Sequence, residues 1–330
     1  MIKVITPGVK ATLQDGGRRG HRHMGMPWSG AADRLSFALA NFAVGNPWNT
    51  PALELALGNS EFQFDTDLMV CVSGAPVALH VDASPRPQWE PFWVRAGERL
   101  ILGPAYTGCH IYLAISGGFA AQDFMGSGST YEKASIGGYG GRALRTGDTL
   151  LTAGIWMHDG PDTQNGSDTP KYQAEAAGRS QPIPLAYRPH IGRSIVLRVI
   201  PGPDGDIYAT NERDIFSRKF HAGRATDRMG TRLEGERLCL PEEFSLNSSP
   251  ILMGTVQLPP SGQPIIMLAD GHCTGGYARI LQIIRADFWQ LGHIAPGTAI
   301  SFRLCESDEA RLIWRRRQAY YQSLMPDFSF

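Results

Sequence analysis

Glycine and proline interrupt this chain so often that long helices have little room. The sequence holds 38 glycines and 23 prolines among its 330 residues, and both residue types are unfavourable inside helices. Between them lie short runs rich in valine, isoleucine and leucine, a pattern typical of strands that end at turns. The predicted strands are Phe62–Phe64, Leu68–Val72, Val77–Val81, Leu100–Leu102, Ile111–Ile115, Ile195–Ile200, Ile251–Val256, Ile265–Leu268, Ile280–Ile284 and Ala299–Leu304. The chain is therefore expected to be mainly β.

Two segments have a helical pattern instead. Ser29 is a candidate N-cap for a helix that ends near Val44, because the apolar residues between them fall on one stripe. Ser307, followed by two acidic residues, is expected to open a C-terminal helix. The other face of this second helix carries Arg311, Arg315, Arg316 and Arg317. We interpret that face as solvated rather than as a binding patch.

The length of the chain suggests two domains rather than one core. Residues 157–190 contain several turn dipeptides and little apolar periodicity, which predicts a linker or an insertion. The expected organisation is thus an N-terminal β domain over residues 1–156, this linker, a C-terminal β domain over residues 191–306, and a helix over residues 307–330.

The charge balance excludes some classes of partner. Lys plus Arg and Asp plus Glu number 31 each, so electrostatics favours neither nucleic acid nor an anionic membrane. No apolar run approaches the ~20 residues that span a bilayer, and the first residues are too polar for a signal peptide. The five cysteines are far apart and form no CxxC, which fits reduced thiols in the cytoplasm rather than disulfides or structural zinc.

Several common catalytic signatures are missing from the sequence. It has no GxxxxGK[ST], so a Walker A loop does not hold any nucleotide here. It has neither HExxH nor a dense His/Cys cluster, and we expect no metal site. It has no GxSxG elbow, and no Met-Lys-Met carrier sequence, so this chain cannot itself carry biotin.

The segment Asp270–Tyr277, with sequence DGHCTGGY, is predicted to be a polar loop between two buried strands. Asp270 could act as a general base that orients water or an amide, or could cap a turn. The N–H groups of Thr274, Gly275 and Gly276 could donate to an oxyanion or a phosphate. Tyr277 could cover a ligand or pack half-buried.

Two arginine-containing turns are further candidates. Asp227 and Arg228 precede Arg232, which would put two guanidinium groups near one turn, and such groups bind carboxylates or phosphates bidentately. The alternative is that Arg228 pairs with an acid and fixes a loop. Asp15 and Arg18, separated by two glycines, leave the same two interpretations open.

Short motifs, most of which contain glycine, continue in order across most of the chain. They are Leu13–Gly20, Gly25–Asp33, Ala40–Asn41, Glu54–Gly58, Ser73–Ala75, Tyr112–Gly118, Gly126–Thr130, Gly137–Arg142, Gly147–Asp148, Asp227–Gly235, Gly254–Pro259 and Asp270–Tyr277. Over roughly residues 1–306 they resemble the family of the C component of bacterial 5-oxoprolinase. The same family is called allophanate hydrolase subunit 2, or biotin-dependent carboxyltransferase-like. It includes KipA, an antagonist of a sporulation kinase inhibitor, and part of the carboxyltransferase region of urea carboxylase.

The resemblance implies an architecture and an activity. It implies two β-barrel-like domains, at least one of them cyclophilin-like, and ATP-dependent opening of 5-oxo-L-proline, a small cyclic amide, to L-glutamate. ATP would be a substrate, bound by the complex if not by this chain. The implied partners are a KipI-like B component and a lactam-utilisation-type A component. The matching motifs add Asp33, Asn41 and Gln257 to the candidate substrate- or nucleotide-binding residues, with Asp270, Arg228 and Thr274 as candidate catalytic residues.

Two other functions stay open at this point. One is a carboxyltransferase-like role on urea or another amide with a separate biotin carrier. The other is a non-catalytic regulatory protein that binds a kinase inhibitor. The chain departs from the expected family pattern at His272, Cys273, Ala278 and His293, so the resemblance leaves the identity of the amide substrate open.

Overall fold

Contacts divide the described part of the chain into two compact units. The computed structural model describes residues 1–153, 179–205, 214–239 and 246–330. One unit, here called the sheet unit, comprises residues 1–18, 29–153, 179–191 and 325–328. The other, the barrel unit, comprises residues 19–28, 192–205, 214–239, 246–324 and 329–330.

These units differ from the contiguous boundaries drawn from the sequence. Residues 19–28 belong to the barrel unit although they lie early in the chain. Of the predicted linker, residues 157–178 lie outside the described residues, whereas residues 179–190 belong to the sheet unit, where the side chain of Ile183 is fully buried.

The sheet unit contains two antiparallel sheets. One has the strand order β11-β1-β4-β9-β6-β7 and the other β2-β3-β10-β5-β8. The strands are β1 (Ile2–Thr6), β2 (Lys10–Gln14), β3 (Ala52–Ala56), β4 (Gly58–Phe64), β5 (Leu68–Gly74), β6 (Leu79–Val81), β7 (Ser84–Pro85), β8 (Phe92–Val94), β9 (Arg99–Pro104), β10 (His110–Ile115) and β11 (Thr149–Leu150). Alternate residues of β4, including Phe62 and Phe64, enter the shared core because side chains alternate along a strand.

Helix α1 (Arg34–Ala43) covers strand β5, which is buried at every position. Its N-cap is Asp33 and not Ser29, so the predicted start is wrong by four residues. The Asp33 carboxylate accepts hydrogen bonds from the N–H groups of Leu35 and Ser36, at 2.9 and 3.1 Å, whereas Ser29 has a left-handed backbone with φ of 52°. A carboxylate also suits the positive end of the helix dipole.

The barrel unit contains a closed barrel with the strand order β12-β19-β16-β17-β14-β13-β20. The barrel strands and a separate two-stranded pair are β12 (Ser194–Pro201), β13 (Phe220–Thr226), β14 (Gly230–Glu234), β15 (Ser249–Pro250), β16 (Thr255–Leu258), β17 (Ile265–Met267), β18 (Thr274–Gly275), β19 (Ala278–Ile283) and β20 (Ala299–Leu304). The strand predicted from Ile251 begins only at Thr255, because the preceding segment pairs with β18 instead.

The described part of the barrel unit also contains three α-helices, α2 (Asp214–Ser217), α3 (Phe288–Leu291) and α4 (Ser307–Gln322), and the 3-10 helices Arg22–Met24 and Arg285–Asp287. The predicted start of the C-terminal helix at Ser307 is confirmed. Its arginine face is not uniformly solvated, because Arg317 donates to the carbonyl of Ala286 and lies over the ring of Trp289.

The predicted fold class, mainly β with a few short helices and a C-terminal helix, is confirmed. Of the two β-barrel-like domains that were expected, the barrel unit forms a closed barrel, and the described part of the sheet unit forms two sheets. Among the described residues, none of the helices combines the length and the hydropathy needed to cross a membrane.

Candidate functional site

The predicted site residues fall into two groups, one in each unit. In the sheet unit, Asp15 and Arg18 hold the loop around residues 124–129. The Asp15 carboxylate accepts hydrogen bonds from the Ser127 hydroxyl at 2.7 Å and from the N–H of Gly128 at 2.6 Å. It also accepts from the N–H of Gly17 and the hydroxyl of Ser129. Because four donors surround this carboxylate, its local effect is to fix the loop.

Arg18 is fully buried next to this carboxylate cluster. Its guanidinium group donates to the main-chain oxygens of Phe124, Ser127 and Ser129. Gly137 leaves room for it, since a Cβ at that position would lie 2.7 Å from Nη2 of Arg18. The buried guanidinium thus satisfies carbonyl groups that would otherwise be costly to bury.

Asp33 and Asn41, also in the sheet unit, stabilise the two ends of α1. Asp33 caps its start, and the Asn41 amide donates to the carbonyl of Thr50 at 2.8 Å just after its end. Both side chains are fully buried. The backbone of Asp33 donates to the hydroxyl of Tyr112, which in turn donates to Glu54 at 2.9 Å. Burial, with the Glu54 charge second, raises the pKa of Tyr112 well above its usual value.

In the barrel unit, Arg228 and Asp270 form a buried ion pair. The Nε of Arg228 lies 2.8 Å from Oδ2 of Asp270, and Nη2 lies 3.2 Å from Oδ1. The N–H of Asp270 also donates to the carbonyl of Arg228 at 2.9 Å. The two side chains are each only 8% exposed. This pair joins the turn before β14 to the loop after β17.

The neighbouring residues of that turn have separate surroundings. The Asp227 carboxylate accepts from the N–H groups of Met229 and Gly230, which closes the turn. Arg232 lies on the exposed face of β14, whereas Arg228 is buried. The two guanidinium groups predicted near one turn therefore face different surroundings.

The loop Asp270–Tyr277 is shaped by a close approach and not by left-handed glycines. Neither Gly275 nor Gly276 has a positive φ. Gly275 lies in β18, where it pairs with Ser249, and a Cβ there would lie 2.4 Å from Cδ1 of Ile251. The glycine is needed because the two strands are packed against each other.

The outer side of this loop presents side chains that a ligand could contact. Thr274 is exposed and Tyr277 is 47% exposed. Below them, the buried side chain of Gln257 points its amide Nε2 toward the carbonyl of Tyr277, at 3.5 Å. The structure thus brings together a hydroxyl, a phenol and an amide at one barrel loop, with the Arg228–Asp270 pair beneath one end of that loop.

Two residues of this region were missed by the sequence analysis. Arg22 donates to the carbonyls of Ile251 and His272, so it ties residues 19–28 to the loop. Arg279 forms a bidentate pair with Asp204, with Nε 2.8 Å from Oδ2 and Nη2 3.2 Å from Oδ1. The Arg279 guanidinium holds the pKa of Asp204 below its usual value.

Only a weak signal in the sequence points to one of these residues. Arg279 follows the glycine pair at the start of an apolar strand, where a charged residue is unusual. Nothing in the pattern around Arg22 distinguishes it from a surface loop. Within the residues that the structure describes, no three His, Cys, Asp or Glu side chains are placed to hold a metal ion.

Comparison with known proteins gives consistent results along the chain. A family model described as carboxyltransferase domain, subdomain A and B, matches residues 24–304. The chain is 35% identical over 325 residues to the C component of 5-oxoprolinase from Escherichia coli, covering 98% of this chain and 97% of that protein. The corresponding protein of Haemophilus influenzae is 33% identical with the same coverage.

A solved structure with a similar fold is the K. lactis urea amidolyase. It has a TM-score of 0.87 and 27% identity, and the match covers 98% of this chain but only 20% of that much longer chain. The described fold is therefore similar to one part of a larger protein.

Proposed function

The chain belongs to the carboxyltransferase domain family, subdomain A and B, and from this premise we propose that it is the C component of an ATP-dependent 5-oxoprolinase. The observation that carries the proposal is the end-to-end match to that component of the Escherichia coli enzyme, which covers 98% of this chain and 97% of the relative. In this proposal the chain acts in the cytoplasm as one part of a hydrolase complex.

The chemistry explains why ATP would be needed. The carbonyl carbon of a five-membered lactam is a poor electrophile. Transfer of the γ-phosphoryl group to the lactam oxygen releases ADP and makes that carbon reactive. Water then adds to the carbon and the C–N bond breaks, with the proton passing to nitrogen. A second water hydrolyses the resulting acyl phosphate to L-glutamate and phosphate. Each step needs donors for developing negative charge.

The barrel loop supplies groups of the required type. Thr274 and Tyr277 are exposed and can donate hydrogen bonds to the lactam or phosphoryl oxygens. Asp270 has both carboxylate oxygens facing Arg228, so we assign this pair the task of positioning the loop rather than of removing a proton. ATP would be shared with the partner chains, since the sequence contains no Walker A loop.

The partners in this proposal are a KipI-like B component and a lactam-utilisation-type A component. Both matched bacterial relatives are named as one component of 5-oxoprolinase, which supports an enzyme built from several chains.

A second candidate is a carboxyltransferase-like role on urea or another amide. It is favoured by the similarity to urea amidolyase, with a TM-score of 0.87. This role would need a separate biotinylated carrier protein.

The test is ATP hydrolysis that depends on 5-oxo-L-proline, measured with this chain alone, with its two partner components alone, and with all three. Glutamate release is followed in the same samples. We expect turnover only in the full mixture. A stable complex without turnover would overturn the assignment, and carboxylation of urea by a biotinylated carrier would support the second candidate.

Variants then separate positioning from folding. Asp270→Ala removes the carboxylate that pairs with the buried Arg228 guanidinium, which costs about 3–5 kcal/mol of stability. The double variant Arg228→Met/Asp270→Leu removes both charges, so it should regain most of that stability while turnover stays at least ~10-fold reduced. Arg224→Met, on the exposed part of β13, is the control and should change neither. Full activity of the double variant would contradict a positioning role.

A further inference from the structure

The barrel unit contains a cavity of ≈ 450 Å³ in addition to the loop described above. Its walls come from residues before β16, the end of β19, α3, the start of α4 and the segment of residues 19–28. The lining residues are Arg22, Trp28, Ile200, Leu252, Met253, Gln282, Ile283, Ile284, Arg285, Phe288, Ser307, Ala310, Arg311 and Trp314. This volume lies within the range of small-molecule sites, and most of the wall is apolar.

The charge around the cavity has one sign. Three arginines line it, and no Asp or Glu is among the lining residues. Arg311 pairs with Asp308 at 2.7 Å. Within the described ranges, Arg22 forms no ion pair with an acidic side chain and donates to the carbonyls of Ile251 and His272. Arg285 shares the carboxylate of Phe330, the last residue of the printed sequence, with Arg19. At and beside this wall, the guanidinium groups of Arg19, Arg22, Arg285 and Arg311 therefore outnumber the carboxylates that pair with them.

One residue of the cavity wall, Trp314, has an indole N–H without a hydrogen-bond acceptor among the described residues. Its Nε1 atom is buried. The guanidinium carbon of Arg285 lies 5.2 Å from the centre of the Trp314 ring. Leaving a buried donor unpaired costs free energy, so an acceptor that enters the cavity would remove that cost.

We propose that this cavity binds an apolar monocarboxylate, with an aromatic or branched aliphatic body against the apolar wall and its carboxylate at Arg22 and Arg285. A guanidinium group pairs well with a carboxylate. Burial, and after it the charge of Arg19, lowers the pKa of Arg285, and a bound anion would offset both effects. 5-Oxo-L-proline does not fit this description, because its small ring carries a polar amide.

The site goes beyond the proposed function. The family model ends at residue 304, whereas Ser307, Ala310 and Trp314 belong to α4. Binding here needs neither ATP nor partner chains, so it is measured on this chain alone and does not depend on the outcome of the turnover assay.

The first experiment is calorimetric titration of the chain with 3-phenylpropanoate and with 4-methylpentanoate. The neutral 3-phenylpropanamide and acetate serve as comparison ligands. We expect saturable binding of both apolar acids, at least ~10-fold weaker binding of the amide, because a charge-assisted hydrogen bond is lost, and no binding of acetate. Binding of neither acid, or equal binding of acid and amide, would overturn the proposal.

Variants place the ligand in the cavity. Ala310→Phe fills it and should abolish binding. Arg285→Gln should weaken binding of the acids ~10-fold and leave the amide unchanged. Arg316→Gln, on the exposed part of the same helix, is the matched control. In ¹⁵N spectra, the indole resonance that Trp314→Phe removes should shift on titration. Unchanged acid binding in Arg285→Gln, or a stationary indole resonance, would contradict the assignment.

Discussion

The two units each bury an arginine beside a glycine-containing turn, but the two arginines are used differently. Arg18 of the sheet unit is fully buried and donates to three main-chain oxygens of one loop. Arg228 of the barrel unit pairs with the carboxylate of Asp270, and the loop that follows Asp270 keeps Thr274 and Tyr277 exposed. Similar motifs therefore have different roles: Arg18 fixes a buried loop in the sheet unit, whereas Arg228 supports a loop with exposed side chains in the barrel unit.

This difference shows what a polar motif can and cannot indicate. In the sheet unit, the side chains of Asp15, Arg18, Asp33 and Asn41 each form hydrogen bonds with backbone groups of their own unit. We infer that these residues act through stability. In the barrel unit, the same types of residue hold a loop whose outer side chains can reach a ligand.

The largest effect is expected for a variant that tests whether Arg18 stabilises the loop of residues 124–129. Arg18→Met keeps much of the side-chain volume but removes the guanidinium donor of the Ser127 and Ser129 carbonyls, while the Phe124 carbonyl keeps only its 3.3 Å hydrogen bond from the N–H of Ser127. Each buried unpaired carbonyl costs about 1–3 kcal/mol, and partial relaxation brings the expected loss of stability to about 3–5 kcal/mol. Urea denaturation measures the loss, and hydrogen exchange should rise first in residues 124–129.

The neighbouring Arg19→Met is the control for that variant. Arg19 is exposed and forms only long hydrogen bonds, at 3.5 Å to the carbonyl of Ser329 and at 3.3 Å to the carboxylate of Phe330, so its loss should cost less than about 1 kcal/mol. If the two variants were equally stable, Arg18 would not stabilise the loop of residues 124–129, and the contrast drawn between Arg18 and Arg228 would be wrong.

A smaller effect tests the accessible loop. Gly275→Ala places a Cβ 2.4 Å from Cδ1 of Ile251, whereas Gly276→Ala meets nothing closer than 3.4 Å. Overpacking of this kind costs about 1–3 kcal/mol. We expect Gly275→Ala to lose about 2 kcal/mol and Gly276→Ala less than about 0.5 kcal/mol, both measured by thermal unfolding.

Adding Ile251→Val to Gly275→Ala tests whether this clash causes the loss, because valine lacks the Cδ1 methyl group. It should recover part of the stability lost in Gly275→Ala. Equal losses for both glycine variants would mean that backbone freedom, and not the packing of β18 against the Ile251 side chain, explains the glycine pair.

The sequence predicted the regions where buried apolar runs decide the structure. The strands near Leu68, Ile111 and Ala299 and the helix from Ser307 lie where apolar periodicity placed them. It did not predict β1, β2 or β13, where short runs contain lysine, threonine or histidine and gain their burial only from distant partners. Propensity carries no information about such long-range pairing.

The candidate site was predictable to a similar extent. Local residues predicted the Asp270–Tyr277 loop, whereas for Arg228 they left open whether it binds a ligand or pairs with an acid, and the structure pairs it with Asp270. Ser29 was chosen as the cap because a hydroxyl preceded the apolar stripe, but the left-handed turn at Ser29 delays the helix to Asp33. Arg22 could not be found, because its contacts with Ile251 and His272 join residues more than two hundred positions apart.

The smallest effects are expected for one ion pair in each unit. They test whether the stability that the same kind of ion pair contributes depends on pH in the same way in both units. Asp148 of the sheet unit is paired with Arg142, and Asp204 of the barrel unit with Arg279. In each case the hydrogen bond from the arginine lowers the pKa of the aspartate below its usual 3.8. The unfolded chain therefore binds protons more readily than the folded chain in acid. The stability from each pair is present above pH ~4 and is lost as the pH falls through the lowered pKa.

Asp148→Asn and Asp204→Asn should each lower stability by about 1 kcal/mol at pH ~7, because both pairs are partly exposed. Below pH ~4 each variant should approach the parent protein, since the parent then loses the same contribution. Urea midpoints between pH ~7 and pH ~2.5 measure this convergence. Parallel curves for parent and variants would show that the aspartates act through geometry and not charge. If the variant and the parent became equally stable in acid for only one of the two aspartates, the ion pairs would contribute to stability differently in the two units, as the two buried arginines do.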